Sequence, residues 1–419
     1  MAEVVPFKGV LYNVPRISQV SGEDLLAPPY DIITPEYREE LYQKSPYNVV
    51  RIDFGKEFSN DTSQNDKYTR AKAYLDEWLK EQVLMSSKEP CFYAYEISYT
   101  INQETKTLRG FIGLVRLEEL GTGNIHPHEC THSKPKKDRL DLMKMCGANI
   151  SPIFSLYGSK EKKTASILSR ASKTRPYIEA KDSSGAIHRL WEIANPEEIT
   201  AIKNELLDKA IFIADGHHRY ETALEYQKEM RRKESGRDQS KPYDYVMMFL
   251  ANMSNEGLTI LPTHRLVKKL GDDSLERLSA YFAIEKVSGN SDITGALSSQ
   301  RHILGFYKGD DDIWYILRYK GMHNSEIPPV LANLDVSILH ELVLGRLLHI
   351  SDIVYEMDIH KCIKLVKERR FDAAFFLNPT LVEEVESVAL ASLRMPPKST
   401  YFYPKLLTGL VLNIFKYTF

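Results

Sequence analysis

The sequence has little cysteine and no long apolar run. Its four cysteines, Cys91, Cys130, Cys146 and Cys362, are scattered and form no CxxC pair. This scatter argues against a secreted disulfide framework and against a zinc ribbon, and it favours a reducing cytoplasmic compartment. No run of about 18 apolar residues occurs, and the first residues lack the cationic patch of a signal peptide. We therefore expect no membrane partner.

The sequence also lacks an excess of charge of either sign. It contains 55 Lys and Arg against 57 Asp and Glu, which gives a formal net charge of −2. No global basic field is present to recruit nucleic acid, so we expect no nucleic-acid partner and expect any bound anion to be held locally. The length of 419 residues predicts two or three domains, at roughly 100–200 residues each.

The best-known phosphate and hydrolase motifs are missing. There is no GxxxxGK[ST], no GxGxxG after a strand, no GxSxG and no HExxH. The sequence therefore lacks the principal signatures of four classes: P-loop kinases, Rossmann dehydrogenases, α/β-hydrolases and zincins. Any phosphate chemistry needs another cradle.

Hydrophobic periodicity predicts an α+β fold of mixed sheets with flanking helices. Apolar residues recur at helical spacing over 68–83, whereas 91–100 alternates with period two and pairs back as a hairpin with 108–117. Further strands are predicted at 49–54, 211–214, 246–250 and 373–377. We predict an N-terminal α+β unit over 1–265 and a C-terminal α/β unit over 266–419, whose tail is a candidate to return to the site.

The sharpest local signal is the segment 211–226, in which an apolar strand runs into Asp-Gly-His-His-Arg and then into a helical pattern. Glycine lets the backbone approach a phosphate, the start of the helix offers unpaired N–H groups, and Arg219 adds a bidentate donor. Asp215 is a candidate to hold Mg²⁺ or accept a proton, and a histidine to donate to phosphate oxygens. The alternative is a capped turn whose histidines satisfy buried backbone groups.

A second cluster lies at 126–139. Its His, Glu and Cys side chains are zinc-ligand types, but they are crowded into a proline-containing loop without the i, i+4 spacing of HExxH, which disfavours structural zinc. The cations that follow fit phosphate better, and a solvated loop is the open alternative. The candidates from this segment are His128, Glu129, Lys136 and Arg139.

Three smaller segments also bring polar groups together. Asp31 lies in a proline-stiffened stretch before a helix that Thr34 is predicted to cap. His264 and Arg265 follow a short apolar strand, where loops often carry function. For each of the three segments, turn formation or ordinary packing is as good an explanation as function. The last segment, in the C-terminal tail, contributes Lys398, Ser399, Thr400 and Lys405.

Taken together, these segments resemble a known family that covers nearly the whole chain in order, the domain of unknown function ten-fifteen family. The resemblance rests on APPYDII at 27–33, NVVRIDFG at 48–55, RGFIGLVRLEE at 109–119, PHECTHSKPKKDRLDLM at 127–143, SPIFSLYG at 151–158, IADGHHRYETAL at 213–224, LPTHR at 261–265 and KSTYFYPKLLTGLV at 398–411. The family name conveys no chemistry.

The Asp-Gly-His-His-Arg turn also resembles the phosphate-binding turn of the ParB/sulfiredoxin-like superfamily, which includes the archaeal free-serine kinase. The resemblance implies a ParB/sulfiredoxin-like core, phosphate binding by residues 216–219, and a catalytic or Mg²⁺-associated role for Asp215. It also implies an acid from an earlier segment, for which Asp31 is the candidate. Sulfiredoxin needs a cysteine in this turn, where His217 and His218 stand here, so repair of oxidised cysteine is disfavoured.

The leading hypothesis is a small-molecule kinase that converts free L-serine to O-phosphoserine with Mg²⁺. Pyrophosphate is the preferred donor, with ADP or ATP as the alternatives, because no adenine-binding motif is recognised. The rivals are a noncatalytic nucleotide-binding switch of ParB type and a phosphatase acting on a small phosphorylated metabolite. The oligomeric state stays open, a homo-oligomer included.

Each candidate residue has a role in this hypothesis. The catalytic candidates are Asp215, Asp31 and His218, and His128 and Glu129 are candidates to bind the acceptor. The candidates to bind the donor are Gly216, His217, His218, Arg219, His264, Arg265, Lys136, Arg139, Lys398, Ser399, Thr400 and Lys405.

Overall fold

The computed structural model describes residues 2–17, 19–129, 133–233, 240–287, 293–298, 300–309, 313–321 and 327–419. These residues form an α+β fold of mixed sheets with flanking helices, as the sequence predicts. In the part of the chain so described, no helix is long and apolar enough to cross a membrane.

Strands and helices are numbered in chain order. The strands are β1 Val4–Val5, β2 Val10–Tyr12, β3 Leu84–Ser86, β4 Phe92–Ile101, β5 Glu104–Arg116, β6 Ile125–His126, β7 Ala148–Asn149, β8 Ile153–Tyr157, β9 Ile178–Lys181, β10 Ile187–Ile193, β11 Ile211–Asp215, β12 Tyr245–Asn252, β13 Thr259–Leu261, β14 His264–Val267, β15 Phe282–Val287, β16 Ile303–Lys308, β17 Ile313–Tyr319, β18 Ile353–Glu356, β19 Ala373–Phe376, β20 Tyr401–Tyr403 and β21 Asn413–Ile414. The helices are α1 Gly22–Leu25, α2 Pro35–Lys44, α3 Val50–Asp53, α4 Lys67–Lys80, α5 Ser133–Cys146, α6 Lys163–Ala171, α7 Pro196–Leu206, α8 His217–Lys233, α9 Ser274–Ser279, α10 Ile293–Leu297, α11 Pro329–Ala332, α12 Asp335–Ser337, α13 Ile359–Lys367 and α14 Val382–Leu390. Short 3-10 turns occur at Tyr30–Ile32 and Pro242–Asp244, and a π-helical stretch follows α12 at Ile338–Leu347.

The chain divides into two compact units. Unit 1 comprises Met1–Pro127, Thr131–Leu258 and Pro404–Phe419, and unit 2 comprises His128–Cys130 and Thr259–Tyr403. This division differs from the predicted one at residue 265 because β13 pairs with β20 inside unit 2, whereas β21 pairs with β7 inside unit 1.

Unit 1 is built on a mixed sheet in the order β6-β11-β8-β12-β5-β4-β10-β9, with β1 against β5. The predicted hairpin is confirmed, since β4 and β5 pair antiparallel. At the centre, Met248, Phe249 and Leu250 of β12 are fully buried, as expected of a continuous apolar strand covered on both faces. Strand β11 lies between β6 and β8, and its polar end, Asp215, is paired with Phe154 of β8.

One predicted strand is wrong, because residues 50–53 form the short helix α3. The side-chain oxygen of Asn48 accepts a hydrogen bond of 2.9 Å from the N–H of Val50, the first residue of this helix. The helix brings Asp53 into the interior of unit 1, where it is 3% exposed.

Unit 2 contains an antiparallel sheet in the order β15-β17-β16-β19-β14-β18. The predicted strand at 373–377 is confirmed as β19, whose four residues are all buried. The core of this unit includes Leu266, Trp314 and Phe376. His264 and Arg265 begin β14 and are buried there, opposite Glu356 and Tyr355 of β18.

Candidate functional site

The Asp-Gly-His-His-Arg segment forms a sharp strand-to-helix turn in unit 1. Strand β11 ends at Asp215 with a shift of register against β8, and α8 begins at His217. Gly216 between them has φ +98°, a left-handed conformation that favours glycine. A Cβ built on Gly216 would lie 2.9 Å from Nε of Arg219, so the position of the guanidinium also disfavours a side chain at residue 216. Bulges of this kind re-aim side chains near functional sites.

Arg219 folds back over this turn from the first turn of α8. One of its terminal nitrogens, Nη2, lies 3.2 Å from Oδ2 of Asp215. The other, Nη1, donates to the carbonyl of Pro152 and, at 3.3 Å, to the hydroxyl of Ser151. Because these acceptors fix its plane, the guanidinium is oriented in advance of any ligand.

Lys405, from the C-terminal tail, adds a second cation to the turn. Its Nζ lies 3.6 Å from Oδ1 of Asp215, and its side chain is only 13% exposed. The two oxygens of this carboxylate thus each face a cation. The tail is held in place by paired backbone hydrogen bonds between Thr408 and Ala27. The structure therefore brings Lys405, which the sequence analysis selected separately, to the turn formed by Asp215, Gly216 and Arg219.

The two histidines of the turn differ in burial. His217 is 6% exposed, whereas His218 is half-buried. Helix α8 is anchored behind them by Tyr220, whose hydroxyl donates to the carbonyl of Glu118 at 2.8 Å and accepts from its N–H at 2.9 Å. Of the two imidazoles, His218 is the more accessible to a ligand.

A buried charge network in unit 1 contains Arg139. Its Nη1 lies 3.0 Å from Oδ1 of Asp53, and its Nη2 lies 2.7 Å from Oδ2 of Asp138. The guanidinium stacks on the ring of Tyr30 at 4.2 Å from the centroid. Lys67 reaches Asp138 at 2.6 Å. Arg139 therefore has two carboxylate partners already, which leaves its donor-binding role a prediction.

The electrostatics of this network follow from burial. Desolvation raises the pKa of Asp53 above its usual value, against the opposing charges of Arg139 and Arg219. Burial also acts on Asp138, but Arg139 and Lys67 outweigh it and hold the pKa of Asp138 at about 2. The Oδ2 atom of Asp53 has no hydrogen-bond partner among the described residues.

Asp53 escaped the sequence analysis because it is a single acid in the apolar run 49–54, which resembles a strand. It shares a cavity of about 40 Å³ with Arg139, Ser151 and Arg219. This volume suits a water molecule rather than a substrate. The sequence signals were a carboxylate in a run otherwise suited to a core and its place in the motif NVVRIDFG at 48–55.

The remaining unit 1 candidates occupy other settings. Asp31 lies exposed in the 3-10 turn Tyr30–Ile32, and its charge acts on both Tyr30 and Asp53. The predicted cap is confirmed, since Thr34 accepts from the N–H of Tyr37 at the start of α2. Lys136 on α5 forms an ion pair of 2.8 Å with Glu221 on α8. That pair joins two helices, so the role of Lys136 toward a donor stays a prediction.

The other candidates form a second group, inside unit 2. Nε2 of His128 lies 2.9 Å from the hydroxyl of Thr400, and the N–H of Lys398 donates to the carboxylate of Glu129. The guanidinium of Arg265 donates to the carbonyl of Lys398 at 3.1 Å and to that of Thr263. The hydroxyl of Ser399 donates to the carbonyl of Pro396 at 2.6 Å. These contacts bring residues 128–129 and 398–400 together around Arg265.

Burial has the largest effect on the pKa values of Arg265 and of its neighbour His264. Arg265 and His264 are each 1% exposed. Desolvation lowers the pKa of Arg265 to about 10 and that of His264 to about 4. Nδ1 of His264 accepts from the N–H of Leu377 at 3.4 Å, so the proton of the neutral ring lies on Nε2. Arg265 organises the backbone here, and a further contact with phosphate remains a prediction.

The described residues contain no cluster of three or more His, Cys, Asp or Glu side chains that could hold a metal ion. Asp215 faces two cations, Arg219 and Lys405. Mg²⁺ often binds through one carboxylate and the phosphates of its substrate, an arrangement that needs no such cluster. The predicted Mg²⁺ role of Asp215 therefore depends on the donor.

Among solved structures, the likenesses are distant. A free serine kinase in complex with AMP is 10% identical, with 70% of this chain and 98% of that chain covered and a TM-score of 0.36. SbnI from Staphylococcus aureus, truncated at its C-terminus, is 11% identical, with coverages of 72% and 87% and a TM-score of 0.37. A conserved hypothetical protein from Pyrococcus furiosus is 12% identical, with coverages of 68% and 92% and a TM-score of 0.35. These scores are too low to establish a shared fold or activity.

No curated protein matches the chain. The family model described as Protein of unknown function (DUF1015) matches residues 4–337, which is more than half of the sequence. The matched region includes the Asp215 turn and most of the segments that carried the resemblance. The chain therefore belongs to the DUF1015 family.

Proposed function

We propose that this protein is a phosphotransferase with a small alcohol as acceptor, most concretely a kinase that converts free L-serine to O-phosphoserine. The observation that carries the proposal is the Gly216 turn, where Arg219 and Lys405 flank Asp215 at the start of a 17-residue helix. The start of a helix offers N–H groups and a positive partial charge to an anion. Two cations beside it suit a transferring phosphoryl group, whose catalysis depends mainly on positioning and charge.

In this proposal the residues of the turn and Asp31 have distinct roles. The backbone at Gly216 approaches the donor phosphates, and Arg219 and Lys405 neutralise their charge. Asp215 orients both cations and joins any Mg²⁺ that accompanies the phosphates. His218 donates to the phosphoryl oxygens. Asp31, which is exposed, accepts the proton of the acceptor hydroxyl.

The choice of serine as acceptor depends on the resemblance of residues 215–219 to the turn of free-serine kinase. Pyrophosphate is the first donor to be tested, with ADP and ATP as alternatives, because the sequence holds no recognised adenine-binding motif.

The direct test is to incubate the purified full chain with L-serine and Mg²⁺ and with pyrophosphate, ADP or ATP in separate reactions. O-phosphoserine is then measured by mass spectrometry and ³¹P NMR. Its formation identifies the acceptor and the donor together. Donor binding without turnover would favour the nucleotide switch, and release of phosphate from O-phosphoserine without kinase activity would favour the phosphatase. Omission of Mg²⁺ tests the metal.

Two variants test whether the reaction takes place at the turn. We expect Asp215→Asn to lower turnover at least about 100-fold, because the cations lose their orientation. Asp208→Asn is the matched control, since Asp208 is exposed and precedes the same strand.

We expect Arg219→Ala to raise the KM for the donor about tenfold or more. Arg170→Ala, on the exposed face of α6, is the matched control. Near-normal rates in both turn variants would show that the turn is only architectural.

A further inference from the structure

A buried chain of hydrogen bonds in unit 1 ends at the main chain of the C-terminal tail. The N–H of Leu407 donates to the hydroxyl oxygen of Tyr95 at 3.1 Å. That hydroxyl lies 2.7 Å from Nδ1 of His188, and Nε2 of His188 lies 3.1 Å from Oδ2 of Asp182. Tyr95 is 1% exposed and His188 is fully buried. No role assigned so far to the turn uses these three side chains.

One arrangement of protons satisfies every atom in this chain. Burial raises the pKa of Tyr95 far above its usual range, so its hydroxyl keeps its proton and donates to Nδ1 of His188. The ring proton of His188 then lies on Nε2 and is donated to Asp182. The oxygen of Tyr95 is left with a lone pair that points at the tail and accepts from Leu407.

The far end of the chain is fixed by the turn between β9 and β10. Oδ1 of Asp182 accepts from the N–H of Ser184 at 2.8 Å and from the N–H of Ala186 at 2.9 Å. Although burial opposes it, hydrogen bonds from His188 and Ser184 lower the pKa of Asp182, so the acceptor stays ionised. The position of the Tyr95 hydroxyl is thereby set by the sheet and not by the tail.

The near end of the chain lies close to the turn. Leu407 is two residues after Lys405, whose ammonium faces Asp215 at 3.6 Å. Thr408, the next residue, is paired through both its N–H and its carbonyl with Ala27. Tyr95 therefore fixes the backbone between the strand-like pairing at Thr408 and the functional cation at Lys405.

We propose that Tyr95, oriented by His188 and Asp182, is a positioning residue that holds the ammonium of Lys405 beside the carboxylate of Asp215. Its consequence for kinetics rests on the proposed function, but its consequence for the tail does not. Removal of the hydroxyl leaves the N–H of Leu407 and Nδ1 of His188 without a partner and releases the segment 404–407.

The first test is hydrogen–deuterium exchange on the full chain. We expect Tyr95→Phe to speed amide exchange in the peptide that contains 404–408 at least about fivefold. Tyr99→Phe is the matched control, because Tyr99 lies on the same strand, is equally buried and donates at 3.0 Å to the carbonyl of Gly257. Unchanged exchange of 404–408 in Tyr95→Phe, or an equal change in Tyr99→Phe, would overturn the proposal.

The second test is a double-mutant cycle with Lys405→Met. We expect Tyr95→Phe alone to raise the KM for the donor about fivefold with little change in kcat, and to have less than about a twofold effect when Lys405 is already replaced. Additive effects would overturn the positioning role even if the kinase activity is present. If no phosphoryl transfer is found with any donor, the proposed function fails, and the exchange experiment still decides the positioning of the tail.

Discussion

At the scale of single residues, Gly216 best illustrates how backbone conformation and chemistry meet. Its φ of +98° already disfavours a side chain, and the guanidinium of Arg219 fills the space that a Cβ would need. The two constraints are independent, because one concerns the strain of the backbone and the other concerns the position of a cation. They can be separated by experiment.

We expect Gly216→Ala to lower the free energy of unfolding by about 1–3 kcal/mol and to raise the KM for the donor, because Arg219 must move. Gly185→Ala is the control, since Gly185 has φ +88° but its Cβ would meet only the side chain of Lys181, at 3.8 Å. Urea unfolding and donor kinetics of both variants measure the difference. Equal losses of stability in the two variants, with an unchanged KM for the donor, would show that a side chain at residue 216 does not displace the guanidinium of Arg219.

Because His264 is buried, we expect the free energy of unfolding to fall as the pH is lowered. Burial lowers its pKa to about 4 from 6.5, so the folded state binds the proton more weakly than the unfolded state. The stability that His264 contributes is complete above pH 6.5 and is lost as the pH falls from 6.5 to 4, by roughly 3 kcal/mol. Urea unfolding at several pH values, with His264→Gln for comparison, measures this loss. The same slope in both proteins would mean that His264 titrates normally.

At the scale of elements, helix α8 is held to the sheet by a polar contact behind its first turn. The hydroxyl of Tyr220 is bonded to both the N–H and the carbonyl of Glu118. Tyr220 itself is fully buried. The start of the helix is therefore fixed by a residue that lies behind the charged turn.

We expect Tyr220→Phe to lower the free energy of unfolding by about 1–3 kcal/mol, because two backbone groups lose their partner. Tyr37→Phe should cost less than about 0.5 kcal/mol, since its hydroxyl meets Ser183 in an exposed contact. Chemical denaturation measures both values. A cost for Tyr220→Phe no larger than that for Tyr37→Phe would show that packing alone holds the helix.

At the scale of the whole molecule, ligand binding must raise stability if the donor binds the folded chain only. At a donor concentration of 100 times Kd, the gain is about 2.7 kcal/mol. We therefore expect pyrophosphate to raise the Tm of the wild-type protein, and Arg219→Ala to lose this gain, while Arg170→Ala keeps it. An equal rise in Tm in all three proteins would place the anion away from the turn.

The sequence predicted the parts of the fold and site whose signals are local. Helix α4 and the hairpin of β4 and β5 follow from their periodicity, and the turn at Gly216 follows from five consecutive residues. Asp53 was missed because periodicity cannot distinguish a short helix from a buried strand in an apolar run. At the start of α3 the N–H of Val50 donates to the side-chain oxygen of Asn48.

The sequence by itself determined the family from motifs spread along the chain, the α+β class from periodicity, and the charged glycine turn from five contiguous residues. Only the tertiary structure decided that Lys405 lies against Asp215, 190 residues earlier in the chain, and that Arg265 is occupied by backbone carbonyls. The physical reason is that a cation carries the same local signal whether it faces solvent, a carboxylate or a carbonyl. Its partner is chosen by the packing of distant segments, which no local pattern records.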